Sequence, residues 1–326
     1  MKNQGSIFEL RMNGLPVIQS VDDFSKKIKL SKYIIYQLSA NSKFHYKVYS
    51  IPKKSGGTRE ITQPNRKLKA LQSWILVNIL NKLQVSPNSK GFQKGTSTKD
   101  NAIPHVGNNA LLSMDIKDFF TSITANKVFQ VFRAIGYNNL MSTVLTNICT
   151  YNNYLPQGGP CSPMLANLVC WRLDTRIQNY VGKKGITYTR YADDMAFSSL
   201  LPSKLAKIRT TINIIIMSEG FEVNEGKTRV AGPSKCKKIT GLVINENGVG
   251  IGKVKYKRLR TRIFLLSKVS GTPEEQEISQ IQGWIAYLNS VDSKRYHRIL
   301  KYIKTLNAPS SNPSLEKLIA FKKATS

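Results

Sequence analysis

Residues 185–199, GITYTRYADDMAFSS, carry two adjacent carboxylates between two runs of β-branched, aromatic and other apolar residues. This pattern predicts a strand, an acidic turn and a second strand. Asp193 and Asp194 would repel each other in such an apolar setting and would lose hydration. Divalent cations offset this cost because both carboxylates can ligate them. An ordinary Asp-Asp turn, which loops use freely, is the alternative interpretation.

A third carboxylate, Asp115, ends the apolar run in residues 110–120, ALLSMDIKDFF. The run predicts a buried strand that leads into a turn. An Asp at a strand end can join a neighbouring acidic turn, so Asp115, Asp193 and Asp194 are candidate ligands of two Mg²⁺ ions about 3.5–4 Å apart. Such a pair of ions activates an attacking hydroxyl and stabilises a leaving pyrophosphate. We interpret Asp118 as a surface or capping residue.

The composition points to a polyanionic partner. The chain of 326 residues carries 49 Lys and Arg against 19 Asp and Glu, a formal net charge of +30. This excess favours nucleic acid, although a solvated surface that promotes solubility is the alternative. Hydrophobic residues make up 41% of the chain, which argues against disorder, and no apolar run approaches the roughly 18 residues of a membrane span. We therefore expect no membrane association.

Cysteine use and the first residues favour a cytoplasmic location. The four cysteines form no C-x-x-C pair, and so long a chain does not depend on a disulfide scaffold, so we expect buried free thiols in a reducing compartment. The N-terminus lacks the continuous apolar stretch of a signal peptide. The scattered His and Cys residues give no support for a structural zinc site.

Three segments are predicted. Residues 1–43 form an N-terminal helical segment, residues 44–245 a mixed α and β body, and residues 246–326 a basic helical module with a C-terminal tail. The module begins with KVKYKRLRTR (253–262), in which six of ten residues are basic.

Periodicity and turn residues predict the further elements. These are short helices within 21–40, a hairpin from residue 44 that turns at Gly56-Gly57, helices over 66–83, from 126 and over 164–180, a hairpin over 238–252, a helix over 293–306 capped by Ser290 or Asp292, and a last helix starting at Asn312-Pro313.

The order of the blocks resembles that of the reverse transcriptases, which are right-hand polymerases. Asp115 and Phe120 are followed by PQGGPCSP (156–163), YADD (191–194) and GFEVNEGKT (220–228). The resemblance implies an α+β right-hand fold with fingers (in 44–245), a palm with an antiparallel sheet, and a helical thumb (246–326).

Two further blocks make the chain similar to the bacterial retron reverse transcriptases in particular. NAIPH (101–105) matches that group's Asn-Ala-x-x-His block. ITG (239–241) stands where the group has Val-Thr-Gly, a conservative departure in its first position. The resemblance runs from roughly residue 30 to residue 306.

The resemblance implies roles around the acidic turn. Asp115, Asp193 and Asp194 would be the metal ligands, and the backbone of Ile116 a further contact, with two Mg²⁺ ions as the cofactor. Lys227 would be the cation near the leaving pyrophosphate and is a candidate general acid.

A nucleotide pocket is also implied. Phe120 falls at the sugar-discriminating position, where a bulky ring would clash with a ribose 2′-OH and select deoxynucleotides. Gln157 and Gly158 belong to a loop beneath the incoming base and template. Arg59 matches the residue that clamps the triphosphate, and Lys53 is a weaker candidate. A solvated surface charge is the alternative interpretation of both cations.

Candidate RNA contacts follow from the retron-type block and the basic module. Asn101 and His105 belong to that block, and for His105 we weigh a structural role above an RNA contact. The thumb residues could follow a nucleic-acid backbone, with solvent-facing cations as the alternative. They are Lys255, Lys257, Arg258, Arg260 and Arg262, and on a second surface Arg295 and Arg298.

The implied function is RNA-directed DNA polymerisation from deoxynucleoside triphosphates. The retron resemblance further implies a dedicated structured noncoding RNA as template and primer, initiation from a 2′-hydroxyl of an internal guanosine, and a branched RNA–DNA product. It also implies a role in anti-phage defence with a separate effector protein, and template trimming by a host RNase H. The alternatives are a group II intron-like or diversity-generating reverse transcriptase, and a non-catalytic RNA-binding protein on a polymerase scaffold.

Overall fold

The computed structural model describes residues 6–53, 56–268, 275–308 and 313–324. The helices are α1 (Ile7–Met12), α2 (Val21–Ile28), α3 (Lys32–Ala40), α4 (Arg66–Asn78), α5 (Thr98–Ala102), α6 (Ala125–Ala134), α7 (Asn139–Cys149), α8 (Ser162–Val169), α9 (Trp171–Gly182), α10 (Pro202–Ser218), α11 (Lys253–Lys268), α12 (Glu275–Val291), α13 (Ser293–Asn307) and α14 (Pro313–Ala324). The strands are β1 (Tyr46–Pro52), β2 (Thr58–Pro64), β3 (Ala110–Asp115), β4 (Thr187–Tyr191), β5 (Asp194–Ser199), β6 (Arg229–Ala231), β7 (Lys237–Ile239), β8 (Leu242–Asn245) and β9 (Gly248–Gly250). None of these helices has the combination of length and hydropathy that crossing a bilayer requires.

The chain divides into two compact units. The first contains residues 1–96 and 112–230, and the second residues 97–111 and 231–326. These units differ from the predicted segments, because the N-terminal helices pack into the first unit and residues 97–111 return to the second. In the second unit, α5 packs against β7 and β8, and Thr240 Oγ1 donates a hydrogen bond to the Thr98 carbonyl at 3.4 Å.

The first unit is built on a four-stranded sheet in the order β4-β5-β3-β6. Helix α9 packs against β4, and α10 against β5. Met114 and Phe197 on the central strands are buried, since apolar side chains cover the face that the helices bury. The packed sheet therefore holds the turn between β4 and β5 in place.

The predicted first hairpin is confirmed. β1 pairs with β2 antiparallel, and Ile51 lies opposite Arg59 near the tip. The base of the hairpin is joined to α4 by Asn65, whose side chain accepts from Leu68 N at 3.0 Å as an N-cap. α3, α4 and α6 pack around α7, a helix that we did not predict.

The second unit combines the three-stranded sheet β7-β8-β9 with the helices α11 to α14, which pack against one another. The predicted cap of α13 is confirmed, because Asp292 Oδ1 accepts from Arg295 N at 3.1 Å. The predicted cap at Asn312 lies outside the described residues.

Two local predictions were wrong. The single helix expected over residues 164–180 is broken at Cys170 into α8 and α9. Helix α8 packs against α6 whereas α9 packs against β4, and one straight helix would not make both contacts. Cys236 was expected to be buried, and its thiol is exposed, while Cys149, Cys161 and Cys170 are buried free thiols.

Candidate active site

The turn between β4 and β5 carries the paired carboxylates. Tyr191 lies opposite Asp194 in the strand register, which leaves Ala192 and Asp193 in the turn. Ala192 has a φ of 57°, a left-handed conformation that is uncommon for a residue with a side chain. The neighbouring strand β3 ends at Asp115, and Ile116 N donates to the Asp193 carbonyl at 3.0 Å. The three predicted carboxylates therefore come from adjacent strand ends.

Lys227 lies against one of these carboxylates. Its Nζ is 2.9 Å from both Oδ1 and Oδ2 of Asp115. The lysine is positioned by a 3₁₀ turn over Glu225–Lys227 and by Asn224 N, which donates to the Asp115 carbonyl at 2.8 Å. The structure thus brings Lys227 to Asp115, and its role near the leaving pyrophosphate stays a prediction.

Negative charge is concentrated at this site. Burial, and then the charge of Asp115, raise the pKa of Asp193 above its usual range. Burial raises the pKa of Asp194 to about 6, with the charges of Asp193 and Asp115 adding to the effect. The hydrogen bond to Asp115 in turn raises the pKa of Lys227. In the part of the chain that the structure describes, Lys227 is the one cation that forms an ion pair with any of the three carboxylates, so the site favours additional positive charge.

The donor set fits a hard divalent cation. Carboxylate oxygens and a backbone carbonyl are the ligands that Mg²⁺ prefers, and Asp115, Asp193, Asp194 and Ile116 supply them. In the described part of the chain, however, no group of three or more His, Cys, Asp or Glu side chains is arranged to hold a metal ion. Lys227 lies 2.9 Å from both oxygens of Asp115, so a metal ion bound to Asp115 would compete with this ion pair.

A buried ionic network beneath the turn was missed by sequence reasoning. Arg190 is fully buried and donates to Asp174 Oδ1 and Oδ2 at 2.8 and 2.7 Å. The same guanidinium donates to the Ala192 carbonyl at 3.0 Å, and Tyr188 OH donates to Asp174 at 2.8 Å. The signal was a lone cation inside the strand TYTRY, which requires a buried partner.

The segment before α5 also borders the turn. Ser89 pairs with Arg190 as a parallel bridge, and Lys90 N donates to the Arg190 carbonyl at 2.7 Å. A Cβ atom on Gly91 would lie 2.9 Å from Ala192 N, so only glycine allows this close approach.

The predicted pocket residues lie on two connected elements. Thr62 N on β2 donates to the Gln157 carbonyl at 2.9 Å. Gly158 has a φ of 135°, and a Cβ there would lie 2.9 Å from the Thr62 carbonyl oxygen. Arg59 and Lys53 are exposed on the same hairpin, where both can reach an anion.

Phe120 is half-buried within a cluster of aromatic rings. Its centroid is 5.5 Å from that of Phe119 and 6.1 Å from that of Phe92. The sequence blocks identified Phe120 but gave no indication of Phe92.

The structure buries both retron-block candidates for RNA contact. Asn101 and His105 are each 1% exposed, and burial lowers the pKa of His105 to about 4. Burial favours a structural role for His105, which is the role that the sequence analysis weighed above RNA contact. The same reasoning applies to Asn101.

The thumb candidates differ in how they are engaged. Lys255 donates to the Gly241 carbonyl at 2.9 Å, and Arg260 lies over the Tyr302 ring at 4.3 Å. Arg262 donates to Gln280 at 3.0 Å.

A third arginine of this set is also engaged within the protein. Arg295 pairs with Asp292 at 2.9 Å and lies over the Tyr256 ring. By contrast, Lys257, Arg258 and Arg298 are exposed, and none forms a hydrogen bond or ion pair through its side chain with a described residue.

Comparison with known proteins identifies the family of the chain. Residues 51–244 match the family "Reverse transcriptase (RNA-dependent DNA polymerase)". The chain is 46% identical over 312 residues to the Retron Ec86 reverse transcriptase of Escherichia coli, covering 95% of this chain and 96% of that protein. It is 32% identical to the Retron Mx65 reverse transcriptase of Myxococcus xanthus, covering 90% of this chain and 73% of that one.

Among solved structures, the chain is similar to a foamy viral protease-reverse transcriptase in complex with double-stranded DNA. The TM-score is 0.46 at 15% identity, over 98% of this chain and 51% of that one. The family match and the relatives confirm the predicted α+β reverse transcriptase fold, and the chain belongs to the retron reverse transcriptases, which makes it an RNA-directed DNA polymerase.

Proposed function

We propose that this polymerase copies a dedicated, structured noncoding RNA into single-stranded DNA and uses two Mg²⁺ ions at Asp115, Asp193, Asp194 and the Ile116 carbonyl. The observation that carries the metal assignment is that three carboxylates lie at adjacent strand ends, where Lys227 is the one cation among the described residues that pairs with any of them. When bound, the two ions would activate the primer hydroxyl and stabilise the leaving pyrophosphate.

Lys227 has two successive roles in this proposal. Without substrate its ammonium group neutralises Asp115, at 2.9 Å from both carboxylate oxygens. With substrate it turns from Asp115 toward the triphosphate, where it neutralises the developing charge and donates a proton to the pyrophosphate oxygen. Its side chain is 58% exposed, which leaves it free to change partner.

The remaining pocket residues orient the nucleotide. Arg59 and Lys53 bind the triphosphate from the exposed face of the hairpin, and guanidinium binds phosphate in a bidentate manner. Gln157 and Gly158 bring backbone close to the incoming base and template. Phe120 excludes the ribose 2′-OH by its bulk.

The proposed template and primer follow from the relatives, whose names identify them as retron enzymes. We infer that synthesis starts from the 2′-hydroxyl of an internal guanosine and yields a branched RNA–DNA molecule in the bacterial cytoplasm. A host RNase H would trim the template, and a separate effector protein would complete an anti-phage system. The net charge of +30 supports binding to so large a polyanion.

The metal assignment is tested by Asp193→Asn, with Asp118→Asn as a matched control. Asp118 is exposed, lies three residues after Asp115, and has a φ of 46° that Asn tolerates. We expect Asp193→Asn to lower dNTP incorporation by about 10³-fold or more, because it removes stabilisation worth several kcal/mol. It should also weaken Mn²⁺ binding measured by electron paramagnetic resonance, whereas Asp118→Asn should do neither. Full polymerisation by Asp193→Asn would contradict the assignment.

The product is tested by incubating the protein with the transcript encoded beside its gene. Digestion of the product with RNase should leave a ribonucleotide joined to DNA through its 2′ oxygen. Linear DNA extended from an RNA 3′ end would instead favour the alternative of a group II intron-like or diversity-generating enzyme.

A further inference from the structure

The ring of Phe92 lies close to two parts of the proposed active site that belong to different sequence blocks. Its ring centroid is 6.1 Å from that of Phe120 and 6.3 Å from that of Tyr191, which opens the YADD turn. The residue is 42% exposed, so its ring is not part of the hydrophobic core. An aromatic ring with this exposure at a catalytic turn is a candidate for contact with substrate or with a substrate-contacting residue.

The backbone holds Phe92 firmly at this place. The preceding residues pair with β4 through Ser89 and Lys90, and Gly91 packs directly against Ala192. Phe92 itself has a φ of 61°, a conformation that is rare and costly for an aromatic residue. Core packing does not account for this strain because the side chain is half exposed.

Phe120 is supported on two sides. One neighbour, Phe119, is 4% exposed and lies 6.4 Å from the buried ring of Phe221, so it is fixed by the core. The other neighbour is Phe92. Removing Phe92 would therefore take away one of the two aromatic rings that contact the Phe120 ring.

We infer that Phe92 is a positioning residue for sugar selection, which keeps the Phe120 ring where it excludes a ribose 2′-OH. This inference rests on the proposed role of Phe120. It adds a residue outside the polymerase blocks to the determinants of nucleotide specificity. Phe92 acts through Phe120, so its effect should disappear when Phe120 is absent.

The test measures kcat/KM for dGTP and for GTP on the same RNA template. We expect Phe120→Ala to lower the preference for dGTP by about 10- to 200-fold. Phe92→Ala should lower it by about 3- to 10-fold, the scale of one aromatic contact. Phe92→Tyr should keep the preference because it keeps the ring. The double variant should match Phe120→Ala alone, since residues that act as one unit are not additive.

Phe8→Ala is the matched control, because Phe8 is 73% exposed and lies on α1, and it should leave the preference unchanged. Phe92→Leu keeps apolar volume and should lose preference in the same direction even if the alanine variant folds poorly. An unchanged preference in Phe92→Ala and Phe92→Leu, or additive effects with Phe120→Ala, would overturn the inference while leaving Phe120 as the selector. An unchanged preference in Phe120→Ala would overturn both proposals.

Discussion

The charges next to the turn between β4 and β5 and those on the helices of the second unit belong to the same residue types but lie in opposite environments. Arg190 and Asp174 are both fully buried and joined by two hydrogen bonds of 2.8 and 2.7 Å. On α11, Arg258 is exposed and its side chain forms neither a hydrogen bond nor an ion pair with any described residue. Arg190 therefore forms contacts within the protein, whereas Arg258 is available to bind a polyanion.

This difference shows how one residue type serves two ends in a chain with a net charge of +30. A buried ion pair leaves an uncompensated charge when one partner is removed, and salt screens it weakly. An exposed cation adds little to stability, but each phosphate it meets releases counterions. The effects of substitutions in the two regions should therefore differ in magnitude, in their dependence on salt, and in the property that changes.

The largest effect is expected for Arg190→Met. This variant leaves Asp174 buried without its partner, so we expect the free energy of unfolding to fall by about 3–5 kcal/mol. The Ala192 carbonyl also loses its donor, which loosens the turn before Asp193. Urea denaturation measures the first effect, and dNTP incorporation at a temperature where the variant is folded measures the second.

Arg209→Met is the matched control, because Arg209 forms an exposed ion pair with Glu225. We expect this variant to lose less than about 1 kcal/mol. Replacing Asp174 by Leu together with Arg190→Met should recover part of the stability, since no buried charge remains. Equal losses in the two single variants would remove the contrast between the regions.

A second prediction tests whether the second unit also depends on a buried titratable group. His105 is 1% exposed, and burial lowers its pKa from 6.5 to about 4. The unfolded chain binds a proton as the pH falls below about 6.5, whereas the folded protein stays neutral until about pH 4. The contribution of the neutral His105 to the free energy of unfolding is therefore complete above pH 6.5. As the pH falls from about 6.5 to about 4, the free energy of unfolding decreases by up to about 3 kcal/mol.

The measurement compares wild type and His105→Gln by urea denaturation between pH 8 and pH 4.5. Gln does not titrate in this range, so the variant should lose less stability on acidification, and the difference between the two proteins at pH 8 gives the reference. Parallel curves across the whole range would show that the buried imidazole has no part in the acid sensitivity of this unit.

Local patterns were enough to predict the elements that carry the site. The apolar runs around Asp115 and around the pair Asp193 and Asp194 predicted strands that end in carboxylates, and the structure places these strand ends side by side. The cap at Asp292 is equally local, because a side chain accepts from the backbone three residues ahead. Such features depend on a few neighbouring residues.

The remaining features depend on which surfaces meet in three dimensions. The apolar period continues through Cys170, so nothing in it marks the break between α8 and α9. Asp174 and Arg190 become partners only because α9 packs against β4. Phe92 follows a glycine in a stretch without periodicity, and its place at the turn depends on the pairing of Ser89 with Arg190.

The smallest effect, and the finest test of the contrast, concerns two arginines on α11. If Arg258 meets a phosphate, Arg258→Gln should lower the dependence of log K on log salt for RNA binding by about 0.7–0.9. Arg262→Gln is the control, because Arg262 already donates to Gln280 at 3.0 Å and should change the slope less. Fluorescence anisotropy with labelled RNA at salt concentrations between about 50 and 300 mM measures both slopes. Each variant removes about one phosphate contact, which is the difference in slope that the measurement has to resolve. Equal slopes for wild type and Arg258→Gln would mean that this exposed charge is solvated and not bound to RNA, and a larger change for Arg262 would mean that its internal partners yield to phosphate.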